Sequence, residues 1–195
     1  MSDSAKERRA RQTVNNLLLS MAATAGLVLA IVLATPRPTT SLIQPIDYVA
    51  TAKAAAESSN LPVLAPALID KGWYSNSARW NTNTPDQVDN WYVGFVGPNN
   101  QYLGLTQAFD SNPTWVMLQL KGDLPQGATT VGGVRWTKWK TTVVNDPPKT
   151  RDLAWVAEVK SGSKTDQILI YGTATPADFR KFATLVAARL HVLYP

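Results

Sequence analysis

Hydrophobic and polar positions keep three different rhythms along this chain. Leu17–Thr35 runs 19 residues without a charge. At 1.5 Å per residue, a helix of that length covers about the 30 Å hydrocarbon core of a bilayer. A buried soluble helix of this length would show a polar face. This one offers only Ser20, Thr24 and Thr35, whose hydroxyls can bond back to helix carbonyls. The pattern therefore predicts a cytoplasmic tail over residues 1–16 and a transmembrane helix over 17–35, stopped by Pro36 and Pro38. Residues 36–67 then read as a linker and a membrane-proximal helix. Thr39–Ile46 is polar and proline-containing, Asp47–Ser59 is an alanine-rich helix, and Asn60–Ala67, with Pro62 and Pro66, is an extended connector. The apolar face of that helix is thin, since Tyr48 and Val49 are its only large apolar residues. A mobile helix or a stalk is expected there.

From Gly72 onward, short β-type runs alternate with turn residues, and residues 68–195 read as one extracytoplasmic domain. Strands are predicted over Trp73–Trp80, Asn90–Val96 and Gln101–Ala108. Gly97-Pro98-Asn99-Asn100 turns the last two into a hairpin. Asn112 as cap, Pro113 in the first turn and Gly122 after the end fit a short helix, with a strand as the close alternative. Further strands are predicted over Gly133–Thr141, Leu153–Val159 and Asp166–Thr173. Thr175, Pro176 and Asp178 then open a final helix, whose Phe179, Phe182, Leu185, Val186 and Leu190 form one apolar stripe. The fold class expected is α+β: one antiparallel sheet of about six strands with helices packed on it, in two halves of three strands and a helix each.

Charge gives the apolar helix a direction. Lys6, Arg8, Arg9 and Arg11 precede it, and only Arg37 follows closely. Excess Lys and Arg mark the cytoplasmic side, so the N-terminus is expected inside and the domain outside. The rival is a cleaved signal peptide, for which Val32-Leu33-Ala34 loosely fits the cleavage site; the run is longer than such peptides usually need. Either choice puts the domain outside. The chain has no cysteine, which excludes disulfides and thiol-linked lipids. The net charge is +5, but beyond the tail fifteen basic residues face twelve acidic ones, too small a surplus to argue for nucleic acid.

The basic tail and span, Pro66 with Gly72-Trp73, the run Trp91-Tyr92-Val93-Gly94-Phe95-Val96-Gly97-Pro98, and Gly132-Gly133-Val134-Arg135-Trp136 carry a resemblance. The chain resembles an actinobacterial family of single-pass membrane proteins catalogued only as a domain of unknown function. The resemblance covers nearly the whole chain. It implies location and fold and, with them, a thick-walled host. It implies no activity and supplies no functional residues.

Nothing in the residues marks a catalyst. His191 is the only histidine and sits at a helix end, where the negative dipole end explains it. Ser161-Gly162-Ser163-Lys164 holds the residue types of a Ser-Lys dyad, in a run that a hairpin loop also explains. Asp86 and Asp89 are the nearest carboxylate pair, with a solvated turn as their ordinary explanation, so neither a metal nor a cofactor is expected. Tryptophan stands out. All seven lie beyond the span, and Arg135-Trp136-Thr137-Lys138-Trp139-Lys140 interleaves aromatic and basic residues. In a strand, Trp136 and Trp139 point to opposite faces, so one can be core while the other is exposed. Arg135, Lys138, Trp139 and Lys140 are the expected binding surface, for a sugar ring, a lipid headgroup or an anionic polymer. The expected partners are the bilayer, through residues 17–35, and an envelope protein, glycan or lipid. The expected function is a non-enzymatic envelope binding module, the alternative being an enzyme of envelope metabolism.

Overall fold

The computed structural model describes residues 3–35, 44–82, 84–120, 123–141 and 152–195. The chain falls into two units, Met1–Leu42 and Ile43–Pro195. The described part of the first holds one helix, α1 (Asp3–Ala34). Its segment Arg11–Ala34 is long and apolar enough to cross a membrane, and none of the most apolar stretch is buried. Thr24 and Thr35 donate their hydroxyls to Ser20 and Ile31 carbonyls at 2.9 and 2.7 Å. Pro36 and Pro38, and the linker up to residue 43, lie outside the described residues.

The second unit is an α+β fold. Its elements run α2 (Tyr48–Ser59), β1 (Tyr74–Asn81), β2 (Asn90–Val96), β3 (Tyr102–Ala108), α3 (Pro113–Gln119), β4 (Asp123–Val131), β5 (Val134–Thr141), β6 (Leu153–Ser161), β7 (Lys164–Gly172) and α4 (Pro176–Leu193). One seven-stranded sheet has the order β1-β2-β3-β7-β6-β5-β4, and every neighbouring pair is antiparallel. Two meanders, β1–β3 and β4–β7, thus join along β3 and β7. The helix after the first meander and the helix after the second follow the expected layout. The second meander holds a fourth strand, however, so the halves are βββα and ββββα rather than two equal βββα units.

The extra strand is β4, whose sequence DLPQGATTV hides it. Pro125 cannot donate to a ladder, and Gly127 adopts φ +87°. Both are tolerated because β4 is an edge strand and its register with β5 shifts between Pro125 and Ala128, which places an extra residue there. The β4–β5 turn is Gly132-Gly133, both at positive φ (56° and 78°), as a tight two-residue hairpin requires.

Alternation sorts the sheet into two faces. On one face Trp91, Val93, Phe95, Leu103, Leu105, Ile168 and Ile170 form the main core with α2 and α4. Phe182 of α4 meets Phe95 edge to face (centroids 5.2 Å apart), and Phe95 meets Tyr48 of α2 at 5.1 Å. The thin face of α2 is therefore docked: Tyr48, Ala52 and Ala55 are buried, Asp47 caps the helix by accepting from Ala50 N–H at 2.9 Å, and the Tyr48 hydroxyl donates to the Pro66 carbonyl at 2.6 Å. On the other face α3 covers only part of the sheet, through Trp115, Val116 and Leu120 over Ala108, Ala154, Val156 and Leu169. Elsewhere on that face, tyrosines lie down in place of a helix. The Tyr92 and Tyr102 hydroxyls bond each other over Gly94, Tyr171 lies over Gly104, and Arg79 stacks on Tyr92 at 4.2 Å. A Cβ on Gly104 would come within 2.8 Å of the Tyr171 ring.

The buried Gln107 on β3 ties the ends of the domain together. Its Oε1 accepts from Leu64 N–H, and its Nε2 donates to the Pro62 carbonyl and the Tyr194 hydroxyl, each at 2.8 Å. Tyr194 donates in turn to Asp166 at 2.5 Å.

Candidate functional site

β5 pairs with β6 only from Thr137 to Lys140, against Val156 to Leu153. β6 continues alone beside β7 to Ser161. This partial pairing opens a concavity on each face of the sheet, and Trp139 borders both.

The larger one, about 780 Å³, lies on the α4 face. Leu153, Trp155, Pro176 and Ala177 supply apolar surface, with Trp155 backed by Trp136 and Phe179 through ring contacts at 6.4 and 5.9 Å. Four cations line it: Lys138 and Lys140 from β5, Arg180 and Lys181 from α4. No carboxylate lines it among the described residues. Lys181 is held at 2.8 Å by Asp70, which raises the pKa of its ammonium. Lys138, Lys140 and Arg180 have no ion-pair partner among the described residues. Gln126, at the β4 bulge, closes the edge-strand side. A groove of this kind can hold an anion beside an apolar or aromatic group.

The smaller cleft, about 360 Å³, lies on the α3 face between Met117, Arg135, Thr137, Trp139, Glu158 and Gln167, among others. Its charges balance locally, with Gln167 donating to Glu158 at 3.3 Å and Lys160 pairing with Glu158 at 3.2 Å. The four residues expected to form one surface are thus divided by the sheet. Lys138 and Lys140 face α4, Arg135 faces the other way, and Trp139 sits between. Trp139 is half-buried against the α3 cluster, and its indole N–H has no partner among the described residues. Trp136 is fully buried. Arg180, Lys181 and Trp155 were not among the expected site residues. A signal existed: Ala177, Arg180, Lys181 and Thr184 are spaced i, i+3, i+4, i+7, one stripe of α4 beside its apolar one.

The other chemical candidates are structural. His191 Nε2 lies 2.8 Å from the Gly132 carbonyl and holds α4 to the β4–β5 turn. Lys164 pairs with Asp110 at 3.1 Å. Asp86 accepts from Val88 N–H at 3.3 Å, and its pKa is lowered chiefly by the Thr84 hydroxyl. No group of three metal-ligating side chains occurs among the described residues.

A family model described as a protein of unknown function (DUF4245) matches residues 9–186. Neither a curated protein nor a solved structure matches the chain.

Proposed function

The chain belongs to the DUF4245 family of proteins of unknown function, and from that footing we propose that it is a membrane-anchored module that binds an anionic envelope component in the groove between β5 and α4. The observation that carries this reading is the groove itself. Three cations, Lys138, Lys140 and Arg180, stand around an apolar wall, and among the described residues none of them has an ion-pair partner and no lining residue is acidic. An empty cluster of like charges costs stability, and an anion removes that cost when it binds.

The setting follows from the first helix. Its segment Arg11–Ala34 can span a bilayer. Arg8, Arg9 and Arg11 before its apolar part support an N-terminus in the cytoplasm and a domain outside, by the bias of Lys and Arg towards the cytoplasm. The resemblance noted above supports an actinobacterial envelope as the setting. An anchored binder acts at a high effective concentration, so a groove of modest affinity suffices.

A two-part experiment tests the reading. Reporter fusions after residue 44 should be active only outside, with the first helix retained in the mature protein. Freed of the first helix, residues 44–195 should bind anionic envelope fractions, and the same fragment carrying Lys138→Gln/Lys140→Gln/Arg180→Gln should fold normally and lose that retention. Equal retention of wild type and variant refutes the groove as the site.

A further inference from the structure

The groove described above is wider than a bare anion needs, and its walls are of two kinds. We propose that its ligand is a phosphate-bearing amphiphile, such as an anionic lipid, with the phosphate among Lys138, Lys140 and Arg180 and the first part of the chain against Leu153 and Trp155. This rests on the proposed anionic groove and names its ligand class.

A phosphate is compact, carries charge on several oxygens and accepts many hydrogen bonds. Arg180 supplies a planar fork that can bind two oxygens at once, and Lys138 and Lys140 supply ammonium groups. Lys181 is already paired with Asp70, whose carboxylate offsets its charge, so the phosphate falls to the other three cations. The cations come from two elements, β5 and α4, so a ligand between them must be reached from both sides. An inorganic phosphate would use this rim and leave the rest of a roughly 780 Å³ groove to water. Beside the rim, Leu153, Trp155, Pro176 and Ala177 make a wall with no charged group of its own. Trp155 is only 5% exposed and is backed by Trp136 and Phe179, so the wall is firm. An apolar chain on a firm, preformed wall gains by burial without ordering the protein. A polyanionic glycan would satisfy the rim and gain nothing from the wall.

The test uses the full chain in nanodiscs of phosphatidylcholine, titrated with soluble short-chain probes. Dihexanoyl phosphatidylglycerol should bind saturably and at least about tenfold more tightly than glycerol phosphate, the difference being the buried chain segment. Dihexanoyl phosphatidylcholine measures the contribution of net charge and should bind at least about tenfold more weakly. Ala177→Asp is the decisive variant. A carboxylate in the first turn of α4 suits the helix dipole, so folding is preserved, while its charge opposes a phosphate in the groove. It should weaken phosphatidylglycerol about tenfold or more without lowering the melting temperature. Equal affinity for glycerol phosphate and the lipid overturns the amphiphile and leaves the anionic groove standing. So does binding of a soluble anionic polysaccharide with none of the lipid. If no anionic probe binds, the amphiphile and the anionic groove fall together.

Discussion

Phe182→Ala should remove the contact that fixes α4 to the sheet. The Phe182 ring is 1% exposed and meets Phe95 at 5.2 Å, 67° between planes. Phe95 in turn meets Tyr48 of α2, so one ring links two helices through one strand. The substitution deletes six ring carbons. On the order of 150 Å² of apolar surface then loses its burial, which at about 25 cal/mol per Å² is worth roughly 4 kcal/mol. A partly relaxed cavity and the lost edge-to-face pairing keep the total within about 3–5 kcal/mol. For a domain of this size that corresponds to a fall in melting temperature of roughly 10–15 °C. The measurement is urea unfolding of residues 44–195 followed by tryptophan fluorescence. That fragment should fold alone, because every residue of the core clusters lies within it. Phe182→Leu, which keeps most of the volume, should recover at least half of the loss. A loss below about 1 kcal/mol for the alanine variant would show that α4 is peripheral and that the core argument is wrong.

Gln107→Leu should cost about 3 kcal/mol or more by the same assay, because it leaves the Leu64 N–H and the Pro62 carbonyl without their partner; a change under 1 kcal/mol would make the clip dispensable. Gly104→Ala should lower the melting temperature, since its Cβ would strike the Tyr171 ring, and the double variant with Tyr171→Ala should recover part of the loss. Alkali should unfold the domain. Burial pushes the Tyr171 phenol up to about 12 from 10.0, and raises those of Tyr48, Tyr102 and Tyr194 as well. A raised folded pKa means that the native state keeps the proton while the unfolded chain releases it, so this stability is complete below pH 10 and is lost as pH rises towards 12. The Tyr171 share is about 2–3 kcal/mol, and Tyr171→Phe should flatten the fall of the urea midpoint between pH 10 and 12; an unchanged slope refutes the assignment. Trp139→Ala should cost about 1–2 kcal/mol, less than a fully buried indole, because half of the ring lies against the α3 cluster.

What the sequence made legible was local. Asn112 accepts from Trp115 N–H and Thr175 from Asp178 N–H, so both predicted caps formed from signals three residues long. Of the expected stripe, Phe179, Phe182, Val186 and Leu190 are buried and Leu185 only partly so, because a helix pattern needs no knowledge of its partner but does not fix how wide the contact is. β4 was illegible because Pro125 and Gly127 break alternation, and they are harmless only at an edge that the sequence does not mark. The pairing of β3 with β7 was illegible too. It joins Leu105 to Ile170 across a span that no local signal crosses. For the same reason no local signal brings Lys138 and Arg180 together, whereas the opposite facing of Arg135 and Lys138 follows from strand alternation alone.

The Gln107 clip also decides how this domain carries a load. In an anchored protein, drag on the domain becomes tension in the chain at its N-terminal side. That tension first meets the Ile46–Ser75 hydrogen bond at 2.8 Å and the docking of α2. Behind them, Pro62 and Leu64 are fastened to β3, an interior strand, by the same side chain that grips Tyr194 near the other end of the chain. Edge strand β1 begins only ten residues after Leu64, so it is shielded from being peeled until that fastening gives way. The arrangement works as a strain relief does on a cable: once the Ile46–Ser75 bond gives, a pull is spent on a knot at the point of attachment before it can peel the sheet that carries the groove.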